Sequence, residues 1–341
     1  MLYIAVTKYI IQYKSVAEKN REVKSLSLIN TKMKIYKSRQ LFDTKMKFYK
    51  SRQLLILFAP CLIYLLVFKY LPLWGILISF KDYKPFLGFS ASEWVGFKYF
   101  IRFFNDPRAF LLVKNTFFIS FYTLIFTFPY TIIFALIVNE VQAMKIKKIF
   151  QTITYLPHFI STVVVVGMLK AFLTPGKGLI INFLVSLGMK PIDLLVFPEF
   201  FRTLFVSTDI WQHTGWNAII YFAAIAGINP ELYEAATIDG ANKLKQVLYI
   251  TIPCIMPTII VLLILRTGSL LSVGFEKALL MQVPATYSIS DVISTYVYRQ
   301  GLVGGEFSYS TAVGLFNSVI NLLFLVIANF ISGRLSENSL W

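Results

Sequence analysis

Six segments of this chain are apolar over the length a helix needs to cross a hydrocarbon core, roughly 20 residues. They run from Leu54 to about Phe80, and over about 111–138, 150–173, 203–228, 250–273 and 309–331. Lys69 and Pro72 predict a bend or break at the far end of the first, and Arg266 interrupts the fifth. These are continuous apolar runs and not the ten-residue alternations of a membrane β-barrel. The expected fold class is therefore all-α, a polytopic membrane protein with six transmembrane helices.

Composition agrees. Of 341 residues, 57% are hydrophobic and 15% charged, where a soluble domain carries about 25% charged residues. The net charge of +16 raises nucleic acid as a partner, but its distribution excludes that. Residues 1–53 hold 13 of the 33 Lys and Arg and only three acids, Glu18, Glu22 and Asp43. Basic residues massed ahead of the first span place the N-terminus in the cytoplasm, where they can meet membrane lipid of anionic charge. Six crossings then return the C-terminus to the cytoplasm. The 140–148 loop, with Lys145, Lys147 and Lys148, and the 229–249 loop fall on the same side. The loops at 81–110, 174–202 and 274–308 fall outside.

Residues 1–52 form a basic extension ahead of a six-helix transmembrane domain at 53–341. Across the extension's end, 31–43 (TKMKIYKSRQLFD) and 44–56 (TKMKFYKSRQLLI) are a tandem repeat with ten identities. A local duplication and a basic amphipathic helix on the inner leaflet both fit it. Cys61 and Cys254 fall in or beside apolar spans, so small core residues are expected and not a disulfide or metal site. No cleavable signal peptide is expected, since the basic region is too long.

The loop between the fourth and fifth spans has its own grammar. Asn229-Pro230 is an N-cap followed by proline at the first helical position. Glu231 and Glu234 follow in the first turns, where the helix dipole favours acids. Ala235 and Ala236 make a small-residue face, and Gly240 permits a turn that a side chain would hinder. A second helix is expected from Ala241 to about Tyr249, and Pro253 and Pro257 stand at the mouth of the fifth span. The product is a short surface helix, bent at Gly240, with Glu234 offered for a bidentate arginine contact.

This stretch resembles the permeases of binding-protein-dependent ABC importers, whose mark is Glu-Ala-Ala, three residues, Gly, nine residues, Ile-x-Leu-Pro. Here it reads Glu234-Ala235-Ala236, Thr237-Ile238-Asp239, Gly240, 241–249, then Ile250-Thr251-Ile252-Pro253, with Ile252 for Leu as the one departure. Pro72-Leu73-Trp74-Gly75, Phe80-Lys81-Asp82-Tyr83, Tyr155-Leu156-Pro157-His158-Phe159-Ile160-Ser161, Gly274-Phe275-Glu276 and Leu340-Trp341 are similar to the oligo- and polysaccharide subgroup. The resemblance covers about 53–341 and leaves the N-terminal extension aside.

What the resemblance implies is a MetI-like fold in a bacterial cell membrane. It also implies a heterodimer with a second homologous permease subunit, two ATPase subunits below, and an extracytoplasmic solute-binding protein that delivers an oligosaccharide substrate. Glu234, Ala235, Ala236, Asp239, Gly240, Ile250 and Pro253 would form the ATPase-coupling element, Glu234 carrying a salt bridge and Gly240 the bend. Transport would proceed by alternating access. This chain would bind no cofactor, with ATP and Mg held on the partner ATPase.

The residues themselves offer no catalysis. Pro175-Gly176-Lys177-Gly178 lacks the spacing and the Ser or Thr of a phosphate loop, and no metal or Ser-His-Asp set is evident. Polar groups within spans mark pathways, so His158, Trp211, His213, Asn217, Tyr221, Arg266, Ser269 and Asn317 are candidates for a substrate pathway. Trp216 and Asn321 join them, and polar contact between helices is the competing role. Arg266 calls for a partner such as Asp209 or Glu276, or for a wet cavity. A free-standing secondary transporter or channel, a membrane-embedded enzyme, a non-carbohydrate solute, and neutral, amino-sugar or uronate cargo all stay open at this point.

Overall fold

The computed structural model describes residues 52–335 apart from 189 and 191. The tandem repeat, save its last residues, and Leu340-Trp341 lie outside the described residues. The chain forms two compact units, Met1–Trp74 and Gly75–Trp341.

In the first unit, α1 (Arg52–Leu65) opens into a π turn, Leu66–Tyr70, closed by a bond from Leu71 N to Leu66 O. Tight 3₁₀ turns follow over Leu71–Phe80, of which Gly75–Phe80 already belong to the second unit. The expected break thus takes the form of a change in helical pitch. Pro72 has no N–H and its ring crowds the carbonyl four residues back, which a widened turn relieves.

In the second unit, a two-residue ladder pairs Lys81–Asp82 with Glu93–Trp94, the one sheet among the described residues. The remaining frame is helical: α2 (Lys98–Asn105), α3 (Ala109–Asn139), α4 (Met144–Tyr155), α5 (Thr162–Leu173), α6 (Leu179–Ser186) and α7 (Pro198–Ala226). Then come α8 (Pro230–Ile238), α9 (Lys243–Gln246), α10 (Ile252–Thr267), α11 (Phe275–Met281), α12 (Ile293–Tyr298) and α13 (Phe307–Leu335). The long helices α3 and α7 pack along each other. Ile119, Val166, Phe201, Phe205 and Met281 form one buried cluster, and Ala135, Ala218, Tyr221 and Ile255 another.

Among the described residues, four helices are long and apolar enough to cross a membrane: 54–80, 109–139, 243–267 and 307–334. The bent pair described below makes a fifth if it crosses as one span. The crossing expected over 203–228 is the 29-residue α7, which has the length. Its polar residues, among them Asp209, Gln212, His213 and Asn217, lower its hydropathy below that of the four. The count of six therefore rests on a helix whose polarity faces inward.

Two boundaries differ from expectation. The third span is not one straight helix, because α4 and α5 meet at 99°. Pro157 cannot donate, so the chain tightens to 3₁₀ over Leu156–Phe159 and extends at Ile160 and Ser161 before α5. The fifth span starts early. Lys243 to Thr267 is one helical path, through a π turn at Val247–Thr251 just ahead of Pro253. The second helix expected in the 229–249 loop is thus the foot of that span, and it ends at Thr267, short of 273. Cys61 and Cys254 are free and exposed, not core residues. The lysine group after α3 is partly structural: Lys147 Nζ donates to Asn139 O at 3.2 Å and Asn139 Oδ1 at 2.9 Å, closing the α3 C-terminus.

Candidate functional site

Two features stand out, a polar cavity among the long helices and a hinged loop at one end of them.

The cavity has a volume of about 730 Å³, within the range of roughly 300–1,000 Å³ usual for small-molecule sites. Its position follows from a close contact. Gly215 of α7 lies against Thr154 of α4, which lets the 3₁₀ turn after α4 reach the polar stretch of α7. There His158 stacks on Trp216, with ring centroids 4.5 Å apart and planes 3° from parallel. His158 Nδ1 and His213 Nδ1 are 3.1 Å apart. Gln212 Nε2 donates to Ile160 O at 3.0 Å, satisfying a carbonyl freed by the break.

Of the residues read from sequence, His158, His213, Asn217, Tyr221, Arg266 and Ser269 line this one cavity, as does Trp216. Trp211 does not, and stands 49% exposed. Asn317 does not either: its Nδ2 donates to Leu271 O at 3.4 Å, while Asn321 Oδ1 accepts from Leu271 N at 2.7 Å. Both asparagines tie down the turn after α10. Arg266 pairs with neither Asp209 nor Glu276 and forms no ion pair among the described residues. Asp209 is engaged elsewhere, with Thr127 Oγ1 donating to it at 3.4 Å and His213 Nε2 and Lys277 Nζ each 3.8 Å away. Lys277 was not among the residues expected at the cavity, because 274–308 was expected as a loop on the outer side. The available signal was a lysine flanked by Phe275 and by Ala278-Leu279-Leu280-Met281. Burial pushes its ammonium down to about 8, against the opposing pull of Asp209.

The loop is built to hold one shape. Asn229 Oδ1 accepts from Glu231 N at 3.1 Å and caps α8. The helix ends in a Schellman motif: Ala241 N donates to Ala236 O at 2.8 Å and Gly240 N to Thr237 O at 3.1 Å, with Gly240 at φ +74°. Asn242 Oδ1 then accepts from Lys245 N at 2.9 Å and starts α9. Gln246 Nε2 donates to Thr237 Oγ1 at 3.0 Å, and the hydroxyls of Tyr233 and Thr251 are 2.9 Å apart. These bonds fasten α8 to the foot of the fifth span. Outward, Glu234, Ala235, Asp239, Gly240 and Pro253 are exposed, whereas Ala236 and Ile250 are half-buried. Ile238 is 87% and Tyr249 77% exposed. The loop is thus a short helix with bare apolar residues, Ile238 and Tyr249, fastened to a membrane helix.

Residues 113–337 match the family described as binding-protein-dependent transport system inner membrane component. The chain belongs to that family. Members are transport subunits, and ATP hydrolysis resides in partner subunits. Among relatives of this permease, Protein LplB of Bacillus subtilis (strain 168) is 45% identical over 84% of this chain and 91% of its own length. The polygalacturonan/rhamnogalacturonan transport system permease protein YteP of the same strain is 44% identical over 84% and 90%. Among solved structures, a chain of a bacterial alginate ABC transporter, in complex with alginate pentasaccharide-bound periplasmic protein, is 40% identical. It superposes with a TM-score of 0.80, covering 86% of this permease and 99% of that chain. The MetI-like fold and the multi-pass membrane character follow, and the free-standing transporter and membrane-enzyme alternatives are set aside.

Proposed function

We propose that this chain is the permease subunit of an ATP-driven importer for acidic oligosaccharides, sugars bearing uronate carboxylates. One observation carries the substrate class: Arg266, an unpaired guanidinium, lines the cavity. A guanidinium is the side chain best shaped to take a carboxylate through two parallel hydrogen bonds. Asn217 lines the same cavity without a hydrogen-bond partner among the described residues, free to meet a sugar hydroxyl. The naming of relatives for polygalacturonan and alginate, both polymers of uronic acids, supports the same class.

A second permease subunit closes the other side of the cavity, and an extracytoplasmic binding protein delivers the sugar. Two ATPase subunits, which hold ATP and Mg, grip the loop at Glu234. The Schellman turn at Gly240 and the bonds to Thr251 pass their closure to the fifth span. Both termini lie in the cytoplasm, where the basic extension meets anionic lipid.

The test is ATPase stimulation of the reconstituted complex by its loaded binding protein, across acidic and neutral oligosaccharides of equal length. Acidic oligomers stimulate, and Arg266→Gln raises their half-saturating concentration about tenfold, the loss of one charge-assisted contact. Equal stimulation by neutral oligomers refutes the substrate class.

A further inference from the structure

Lys277 reaches the cavity from α11 and is only 6% exposed. Its Nζ donates to Phe205 O at 2.8 Å and stands 4.5 Å from the centroid of the Phe205 ring. Burying an ammonium is costly unless it is paired, and the carboxylate beside it is Asp209, at 3.8 Å. Asp209 is the one carboxylate lining the cavity among the described residues. An uncompensated carboxylate there would repel an anionic sugar and compete for Arg266.

We propose that Lys277 sets the charge specificity of the cavity by neutralising Asp209, which leaves Arg266 free for a sugar carboxylate. This rests on the acidic-oligosaccharide reading. Lys277 is a positioning residue: it acts on Asp209 and does not touch the substrate. The device is titratable, since burial holds Lys277 at about 8. The other ionisable groups lining the cavity are Asp209, His213 and Tyr221 on α7, His158 from the turn after α4, and Arg266 on α10. Glu276, its neighbour on α11, is exposed.

The experiment measures uptake into proteoliposomes holding the full transporter, with saturating binding protein. The substrates are an oligogalacturonate and its methyl ester of equal length, which differ in charge and by one methyl group on each carboxyl. Wild type favours the acid. Lys277→Met lowers the ratio of acid to ester uptake at least about tenfold, and adding Asp209→Asn restores it. Equal loss for both substrates, or no restoration in the double variant, overturns the assignment. Should Lys277→Met not assemble, wild type decides: raising pH from about 7 to about 9.5 discharges a lysine held near 8 and lowers the ratio. Asp209→Asn flattens that profile. A ratio indifferent to pH overturns the assignment. A wild type indifferent to substrate charge removes the acidic reading and this inference together; an acid-selective wild type with a substrate-blind Lys277→Met loss removes this inference alone.

Discussion

Gly215 and Thr154 meet backbone to backbone: a Cβ on Gly215 would lie 2.2 Å from the Thr154 carbonyl oxygen. No rotamer change relieves such a clash, because the obstacle is main chain. Gly215→Ala must push α4 off α7 and with it the stack of His158 on Trp216. Overpacking of this kind costs roughly 1–3 kcal/mol. The variant is expected to melt several degrees lower and to lose transport, read by thermal unfolding of the purified complex. A melting temperature equal to wild type would show that the helices separate freely.

The loop separates two kinds of residue. Glu234 is exposed and its side chain forms no hydrogen bond or ion pair among the described residues, so Glu234→Ala leaves stability within about 0.5 kcal/mol while abolishing substrate-stimulated ATP hydrolysis in the complex. Gly240 has open space around it, but its φ of +74° suits glycine. Gly240→Val therefore strains the turn by about 1–2 kcal/mol and uncouples hydrolysis from uptake, with Gly240→Asn milder. Intact coupling in Glu234→Ala would place the grip elsewhere.

Acid sensitivity centres on Asp106, between α2 and α3. Burial would raise its pKa, but bonds from Arg108 N at 2.8 Å, Arg108 Nη2 at 3.0 Å and the Tyr296 hydroxyl at 2.9 Å outweigh it. The carboxyl is held at about 2, below its ordinary 3.8. The native state thus binds its proton later than the unfolded chain, so stability is fully present above 3.8 and is lost as pH falls toward 2. Asp106→Asn should lower the melting temperature at pH 6 and reduce its decline between 3.8 and 2. Parallel curves for variant and wild type would exclude Asp106 as the acid-labile link.

Much of the loop was legible in the sequence because its causes are local. Asn229 and Asn242 cap the helices that follow them, Gly240 takes the left-handed turn, and Pro253 stands just past the widened turn at 247–251. The limit of that locality is α9, which is the foot of the fifth span and not a separate surface helix, since nothing within four residues tells a helix that it continues into a span.

The sequence by itself determined that this chain crosses a membrane, which family it belongs to and how the 229–253 loop turns, since composition, apolar length and cap chemistry act over a few residues. Only the tertiary structure decided what the polar groups in the spans do. His158, Asp209, Arg266 and Lys277 are far apart in the chain and share one cavity, while Trp211 and Asn317, equally plausible by composition, point elsewhere. The rotation of each helix about its axis settles that difference. It is set by contacts such as Gly215 on Thr154, which depend on helices distant in sequence and leave no local periodicity to read.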